Sequence, residues 1–322
     1  MVDEVLPNLY RIEVPLPKNP LKSLNSYVIT APNRTLIVDT GLNRQECRAA
    51  LQGGLSDLGI DLHRTDFFIT HLHADHSGLV SSLASDRSIV YFNRPDADVV
   101  AYAGVWDDML SFAGVNGFPQ DQLRDAIEKH PGYRYGGSRN VSFTILGEGD
   151  VIRIGDYSFE CVATPGHTGG HMCLYEASRK VLISGDHVLG DITPNISLWT
   201  ETDNPLADYL ASLDKVYQFD VALVLPGHRS LFTDLRRRID ELKHHHEVRT
   251  REVLTILADG PSDAFSVASR MTWDIECDSW DDFPVSQKWF ATGEAIAHLK
   301  YLEDKGLVRR EVRGSVAVFS LA

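Results

Sequence analysis

One stretch of nine residues carries the strongest signal in this sequence: Thr70-His71-Leu72-His73-Ala74-Asp75-His76-Ser77-Gly78. Three imidazoles and a carboxylate fall within six residues of a chain that has only 13 histidines. The stretch continues the apolar run 66–70, which is typical of a buried β-strand. Because residues i and i+2 of an extended backbone point the same way, His71 and His73 can converge on one ion. Asp75 and His76 lie where the chain turns into a helix and can reach a second ion.

Three more segments place a histidine or an aspartate directly after a predicted apolar strand. His167 follows the strand predicted at 157–163, Asp186 follows 181–184, and His228 follows 221–225. A glycine beside each one lets the backbone approach closely, and residues from separate strand ends can gather at one edge of a sheet. Imidazole and carboxylate without thiolate suit zinc, iron or manganese. Four such segments in one chain disfavour the alternative of a polar loop with coincidental histidines.

Alternating strand and helix patterns indicate an α/β domain over residues 1–235. Strands are also predicted at 9–14, 26–30, 35–38, 89–92, 151–154 and 171–175, with helices at 45–58 and 77–83. A helical insertion at about 95–140 contains two helix candidates, 96–112 and 121–130. Its aromatic residues could cover a substrate as a lid, but packing against the body is preferred; these are Tyr102, Trp106, Phe112 and Phe118.

The remaining residues, 236–322, are predicted to form a second, smaller domain. A long helix at 231–258 leads into a helix at 287–305 and a hairpin of strands 307–312 and 316–321, which resembles a winged-helix module. This tail is expected either to cover the insertion or to form a homodimer contact. Two runs on the long helix, His244-His245-His246 and Arg236-Arg237-Arg238, are predicted to be solvated surface, because adjacent helical side chains point about 100° apart.

The composition of the chain bears on its binding partners and on the cellular compartment in which it works. The chain has 322 residues, 43% of them hydrophobic, and a net charge of 31 − 45 = −14, which disfavours nucleic acid as a partner without excluding it. No apolar run approaches the roughly 18–20 residues that span a bilayer, and the acidic N-terminus is unlike a signal peptide. A cytoplasmic protein is predicted. The four cysteines form no CxxC pair and are predicted to be reduced, buried thiols.

The order of these motifs resembles the metallo-β-lactamase superfamily, in the branch that contains glyoxalase II. That family's pattern is HxHxDH, then a His, a bridging Asp and a final His, and it is matched in order over about residues 7–230. The resemblance implies that His71, His73 and His167 hold one metal, that Asp75, His76 and His228 hold the other, and that Asp186 bridges. Asp75 and Asp186 are the implied catalytic residues. Asp39 matches a landmark beside the metals.

The resemblance also implies a four-layer αββα sandwich followed by a winged-helix-like tail of the β-lactamase-like 2 group. Its chemistry would use a hydroxide shared by two divalent cations, with zinc preferred over iron or manganese. A thioester or small acyl ester is the preferred substrate, as in hydroxyacylglutathione hydrolase. The alternatives are a phosphodiesterase or endoribonuclease of the β-lactamase-like 2 type and, less favoured, a persulfide dioxygenase. The expected partner is a small molecule, with no membrane.

Overall fold

Two β-sheets lie face to face at the centre of the computed structural model, which describes residues 2–137, 141–275 and 277–322. The last three residues of the predicted insertion, 138–140, lie outside the described residues. The first sheet contains seven strands in chain order: β1 (Val2–Leu6), β2 (Leu9–Pro15), β3 (Ser23–Thr30), β4 (Thr35–Val38), β5 (Thr65–Phe68), β6 (Val90–Asn93) and β7 (Thr144–Leu146). Neighbouring strands are antiparallel from β1 to β4 and parallel from β4 to β7.

The second sheet contains five strands: β8 (Val151–Ile154), β9 (Tyr157–Ala163), β10 (Met172–Glu176), β11 (Val181–Gly185) and β12 (Leu223–Pro226). Its spatial order is β12-β11-β10-β9-β8, and only the β11–β12 pair is parallel. Side chains from both sheets interdigitate in the space between them, for example Tyr27 and Phe68 with Phe159 and Leu174. Along β9 buried and exposed residues alternate, as a strand covered mainly on one face requires.

Helices cover the outer face of each sheet. On the seven-stranded sheet lie α1 (Gln45–Asp57), α2 (Ala74–Ser77), α3 (Val80–Leu83) and α4 (Arg94–Ala101). On the five-stranded sheet lie α8 (Pro205–Tyr217), α9 (Leu235–Ala258) and α11 (Val285–Asp304). Helix, sheet, sheet and helix therefore form the four-layer αββα sandwich that the resemblance implied. Among the described residues, no helix combines the length and apolar composition that crossing a membrane requires.

The insertion consists of α4, α5 (Val105–Val115), α6 (Gln120–Lys129) and α7 (Pro131–Tyr135). The prediction of one helix at 96–112 was wrong, because the chain breaks at 102–104 between α4 and α5. The preference for packing over a lid is confirmed for Phe112 and Phe118, which are buried. Phe118 contacts Phe265 and Trp289, with ring centroids 5.2 and 5.7 Å apart, so the insertion packs against the C-terminal segment. Tyr102 is exposed and donates to Asp108.

The C-terminal segment has the predicted order of helix, helix and hairpin. After α9 come α10 (Ala264–Ala268), α11 and the antiparallel strands β13 (Val308–Arg313) and β14 (Val316–Leu321). Gly314 has a φ of +65°, which a tight hairpin turn of this kind requires. The boundary near residue 235 between two domains stays a prediction.

Several other expectations need correction. The helix predicted at 77–83 is the two short helices α2 and α3, and no element was predicted for β1, β7, α7, α8 or α10. The two runs on α9 are not uniformly solvated: His246 is buried against Tyr209 and His298, and Arg238 donates to the carbonyl oxygens of Leu189 and Ile192. All four cysteines are free, as predicted, but one of them, Cys277, is exposed.

Candidate metal centre

The seven predicted ligands meet at one edge of the sandwich. Strands β4 and β5 are parallel, as are β9, β11 and β12 through their pairing with β10, so the carboxyl ends of each set lie together. The segments that follow β5, β9, β11 and β12, including the short helix α2 after β5, carry all seven side chains: His71, His73, Asp75, His76, His167, Asp186 and His228. The structure therefore brings together every residue that the sequence selected, including the two on the short helix α2.

Three of the histidines form one group at this edge. His71 Nε2 lies 3.0 Å from His73 Nδ1, and the ring of His167 stands 4.8 Å from His71 and 4.5 Å from His73, measured between centroids. One nitrogen from each ring lies within 4.8 Å of the other two, a spacing suited to a shared cation. These three histidines are the residues that the resemblance assigned to one metal.

The second group contains a carboxylate and two histidines. His76 Nε2 lies 3.3 Å from His228 Nε2, and His228 Nε2 lies 3.4 Å from Asp75 Oδ2. Asp186 lies between the two groups: its Oδ1 is 3.4 Å from His76 Nε2, and its Oδ2 is 3.6 Å from His167 Nε2. A carboxylate that faces both groups is the arrangement expected of a bridging ligand.

Three of the imidazoles make a hydrogen bond on the side of the ring that faces away from the cluster, and this bond determines which nitrogen can bind a metal. His76 Nδ1 donates to Asp39 Oδ2 at 2.7 Å, His167 Nδ1 donates to the Asn195 carbonyl at 2.8 Å, and His228 Nδ1 donates to the Ser23 carbonyl at 2.7 Å. An acceptor behind the ring requires a proton on Nδ1, so Nε2 is the nitrogen that can bind a cation at the centre.

The Nδ1 proton of His71 is fixed in the same way, with Thr70 between the ring and the carboxylate of Asp39. Thr70 Oγ1 donates to Asp39 Oδ2 at 2.9 Å, so it accepts from His71 Nδ1 at 3.0 Å. Asp39 therefore orients two of the imidazoles at once. It lies beside the candidate ligands, as the family resemblance implied. Such supporting carboxylates fix the tautomer and the direction of a metal-binding histidine.

Two polar atoms of this cluster lack the partner that a bound cation would supply. His167 Nε2 and Asp186 Oδ1 are buried and have no hydrogen-bond partner among the described residues. Burial lowers the pKa of His73 to about 3, so this ring is neutral, as a metal ligand must be. Burial also opposes the charged form of His228, but the Asp186 carboxylate outweighs it and raises that pKa to about 10, so a cation must displace a proton from this ring when it binds. The donor set thus fits one or two divalent cations.

Two buried residues that the sequence did not single out hold the ligand loops. Asp96 accepts from Leu72 N through Oδ2 and from Gly170 N through Oδ1, both at 2.8 Å, so it ties the loop of His71 to the loop of His167. His171 Nε2 accepts from Asp186 N at 3.1 Å and supports the backbone of the bridging residue. A sequence offers only weak signals for them: an Asp three residues after an N-capping Asn, and a His after two glycines.

The αββα sandwich and its edge cluster of imidazoles and carboxylates define a metallo-hydrolase. The chain belongs to the metallo-β-lactamase superfamily, whose family model matches residues 20–228. A second model, the metallo-β-lactamase-like C-terminal domain, matches residues 251–321. The resemblance noted from the motifs is confirmed, and the superfamily uses divalent metals, usually zinc.

Similar proteins extend over nearly the whole chain. The probable metallo-hydrolase YqjP of Bacillus subtilis is 25% identical over 312 residues, which cover 91% of this chain and 92% of that protein. The atrochrysone carboxyl ACP thioesterase of Emericella nidulans is 24% identical over 320 residues, or 98% of this chain and 84% of that protein. A crystal structure of a metallo-β-lactamase family protein from Thermus thermophilus superposes with a TM-score of 0.82 at 27% identity, over 99% of this chain and all of that one.

Proposed function

We propose that this chain hydrolyses thioesters or related small acyl esters with two divalent cations, zinc in preference to iron or manganese. His71, His73 and His167 would hold one cation, Asp75, His76 and His228 the other, and Asp186 both. The observation that carries the proposal is the convergence of Nε2 atoms, from rings whose Nδ1 is bonded to an acceptor behind them, on a shared carboxylate whose Oδ1 makes no hydrogen bond among the described residues.

The bound cations and the protein side chains would have different roles in hydrolysis. Bound divalent cations would polarise the substrate carbonyl and lower the pKa of water. Burial opposes ionisation of Asp75, yet His228 and His76 lower its pKa below the usual range, so its carboxylate is ionised at neutral pH and can bind a cation. Asp75 is also the more exposed of the two site carboxylates, with 15% of its side chain accessible against 7% for Asp186. We therefore assign Asp75 to the substrate side and Asp186 to the bridging position.

An apolar wall beside the site supports an acyl substrate. Trp106 and Phe290 both pack against His130, with ring centroids 5.1 Å apart in each pair, and all three are partly exposed. Helix α7 begins directly after His130 and packs against α2, which carries Asp75. Burial lowers the pKa of His130 to about 4, so the wall is uncharged at neutral pH. An uncharged aromatic surface suits an acyl group better than a phosphate.

The distribution of basic side chains disfavours a polyanionic substrate. Arg237 and Arg238 both pair with Glu241 at 3.0 Å, and Arg310 in the hairpin pairs with Glu201 at 3.0 Å. Over residues 287–322 the balance is six basic against four acidic residues, 6 − 4 = +2. A surface that follows RNA would need unpaired Lys and Arg side chains along a groove. The thioesterase among the similar proteins points the same way.

A substrate panel tests the proposal. The purified chain is loaded with Zn²⁺, Mn²⁺ or Fe²⁺, its metal content is measured, and one sample is assayed with acyl thioesters, bis(4-nitrophenyl) phosphate and single-stranded RNA. We expect about two cations per chain and thioester turnover that exceeds RNA cleavage by orders of magnitude. RNA cleavage faster than every thioester would overturn the substrate class, and a folded chain that binds none of these metals would overturn the site.

A matched pair of variants controls for contaminating hydrolases. Asp186→Ala should lose metal and thioesterase activity, because Asp186 faces both groups of ligands. Asp191→Ala removes the same chemical group five residues further on, where the side chain is exposed and outside the cluster, and should leave both intact. Equal, mild effects of the two changes would mean that Asp186 does not bridge.

A further inference from the structure

A segment after the bridging aspartate connects the metal site with the C-terminal helix α11. We call residues 195–199 the docking segment. The carbonyl of Asn195 accepts the hydrogen bond from His167 Nδ1 at 2.8 Å, and its side-chain amide donates to Glu294 Oε2 at 3.0 Å. One residue thus faces a predicted metal ligand with its backbone and α11 with its side chain. Ser197 Oγ donates to the other side-chain atom, Asn195 Oδ1, and so fixes the orientation of the amide.

The rest of the docking segment lies directly on α11. Leu198 N donates to the Gly293 carbonyl at 3.1 Å, and Trp199 stacks on Trp289 with centroids 4.0 Å apart and an interplanar angle of 14°. A Cβ at Gly293 would lie 2.6 Å from Trp199 Cζ2 and 2.9 Å from Ser197 Cβ. The absence of a side chain at this one position of α11 is what permits the close approach.

The carboxylate of Glu294 is paired with the buried guanidinium of Arg249. Its Oε1 lies 3.5 Å from Arg249 Nε, and Arg249 in turn donates to Glu252 Oε2 at 2.7 Å and to the Thr272 carbonyl at 2.6 Å. The guanidinium lies 4.3 Å from the centre of the Trp273 ring. A buried ion pair of this kind contributes little net stability compared with apolar packing, so its value lies in the geometry it imposes.

We propose that Glu294 is a positioning residue that sets the direction of the His167 lone pair through Asn195, so that α11 of the C-terminal segment is part of the metal site. The path has three links: Arg249 to Glu294, Glu294 to the Asn195 amide, and the Asn195 carbonyl to His167 Nδ1. This inference rests on the proposed metal site, since it concerns the orientation of one of its ligands. Removing a partner behind a ligating histidine typically lowers metal affinity by about 10–100-fold.

The experiment measures cobalt binding to the full-length chain by titration and by the visible ligand-field spectrum. Glu294→Ala leaves the direct partner of His167 in place, so it should weaken one of the two bound cations by up to about 10-fold, the lower end of the range for a direct partner, and change the spectrum of that site, while the other cation binds as before. Glu294→Gln still offers an oxygen to the Asn195 amide and should recover most of the affinity. A merely structural role would lower the melting temperature of the metal-free chain but would not weaken one cation selectively, nor give this rescue.

A second perturbation reaches the same contact without touching Glu294. Gly293→Ala would push the docking segment off α11 and should weaken the same cation, although alanine is the better helix former by about 1 kcal/mol. The matched control is Gly53→Ala in α1, where a Cβ would meet nothing within 4 Å. Glu303→Ala, at the partly exposed end of α11, controls for loss of a carboxylate. Neither control should change cobalt binding.

The outcomes separate this inference from the proposed function. If the unaltered chain binds no cobalt, the metal site itself is wrong. If it binds two ions and Glu294→Ala and Gly293→Ala bind both as tightly, the site stands and the role of Glu294 is wrong. Should Glu294→Ala not fold, Gly293→Ala decides the question: selective weakening of one cation supports the proposal, and unchanged binding refutes it.

Discussion

Gly166, the residue before His167, should tolerate no side chain. Its φ of +139° lies on the side of the backbone map that L-residues rarely adopt. A Cβ built there would lie 2.5 Å from both Cα and Cβ of Tyr209 in α8. Tyr209 cannot yield easily, because its ring is buried and its hydroxyl donates to the His187 carbonyl at 2.9 Å. In Gly166→Ala either the loop or the helix must therefore move.

The expected cost is the sum of two separate effects. Forcing an L-residue to positive φ costs about 1–2 kcal/mol, and overpacking against a buried helix costs about 1–3 kcal/mol. Gly166→Ala should thus lower the free energy of unfolding by about 2–5 kcal/mol. Gly59→Ala isolates the first effect, because Gly59 has a φ of +67° and open space around its Cβ position. It should cost only about 1–2 kcal/mol.

Urea unfolding of both variants and the unaltered chain, all with metal removed by chelation, gives the comparison. The difference is read from the midpoints at a common slope, because a changed slope would indicate a change in the denatured state instead. Gly166→Ala should also bind metal more weakly, since the displaced loop carries His167. If Gly166→Ala were no less stable than Gly59→Ala, the close contact with α8 would have no energetic weight and the reasoning would fail.

Two further predictions concern the site and the thiols. Asp39→Asn should lower metal affinity by about 10–100-fold in a chelator competition, because its carboxylate orients His76 directly and His71 through Thr70; unchanged affinity would contradict this role. A thiol reagent at pH 8 should label one cysteine per native chain and four after denaturation, measured by mass spectrometry. The reactive one is the exposed Cys277, since burial raises the pKa of Cys161 and Cys173 to about 12 and that of Cys47 above its usual value. Labelling of Cys161 in the native chain would contradict stable packing between the two sheets, and labelling of Cys173 would contradict stable packing of the helices on the five-stranded sheet.

The sequence alone selected seven candidate ligands that the structure brings together, and the family resemblance of their motifs implied the architecture around them. The seven could be selected because each follows an apolar strand, and both the strand and the turn after it are local patterns of a few residues. Strands that are parallel within a sheet then bring their carboxyl ends to one edge without further information. The C-terminal hairpin was predictable for the same reason, since its turn and both strands lie within 14 residues of one another, from Val308 to Leu321.

Tertiary structure decided what supports those residues, because the supporting contacts join parts of the chain that no local pattern relates. Asp96 ties Leu72 to Gly170, and Asn195 meets Glu294 across 99 residues. The same holds for His246, whose run of three histidines is typical of a solvated helix face until α11 covers one side of α9. Burial of a helical residue depends on which surface packs against it, and that surface is contributed by a distant segment. Local sequence patterns therefore identify the candidate ligands, whereas their orientation depends on contacts between distant segments, such as Asp39 with His76 and Ser23 with His228.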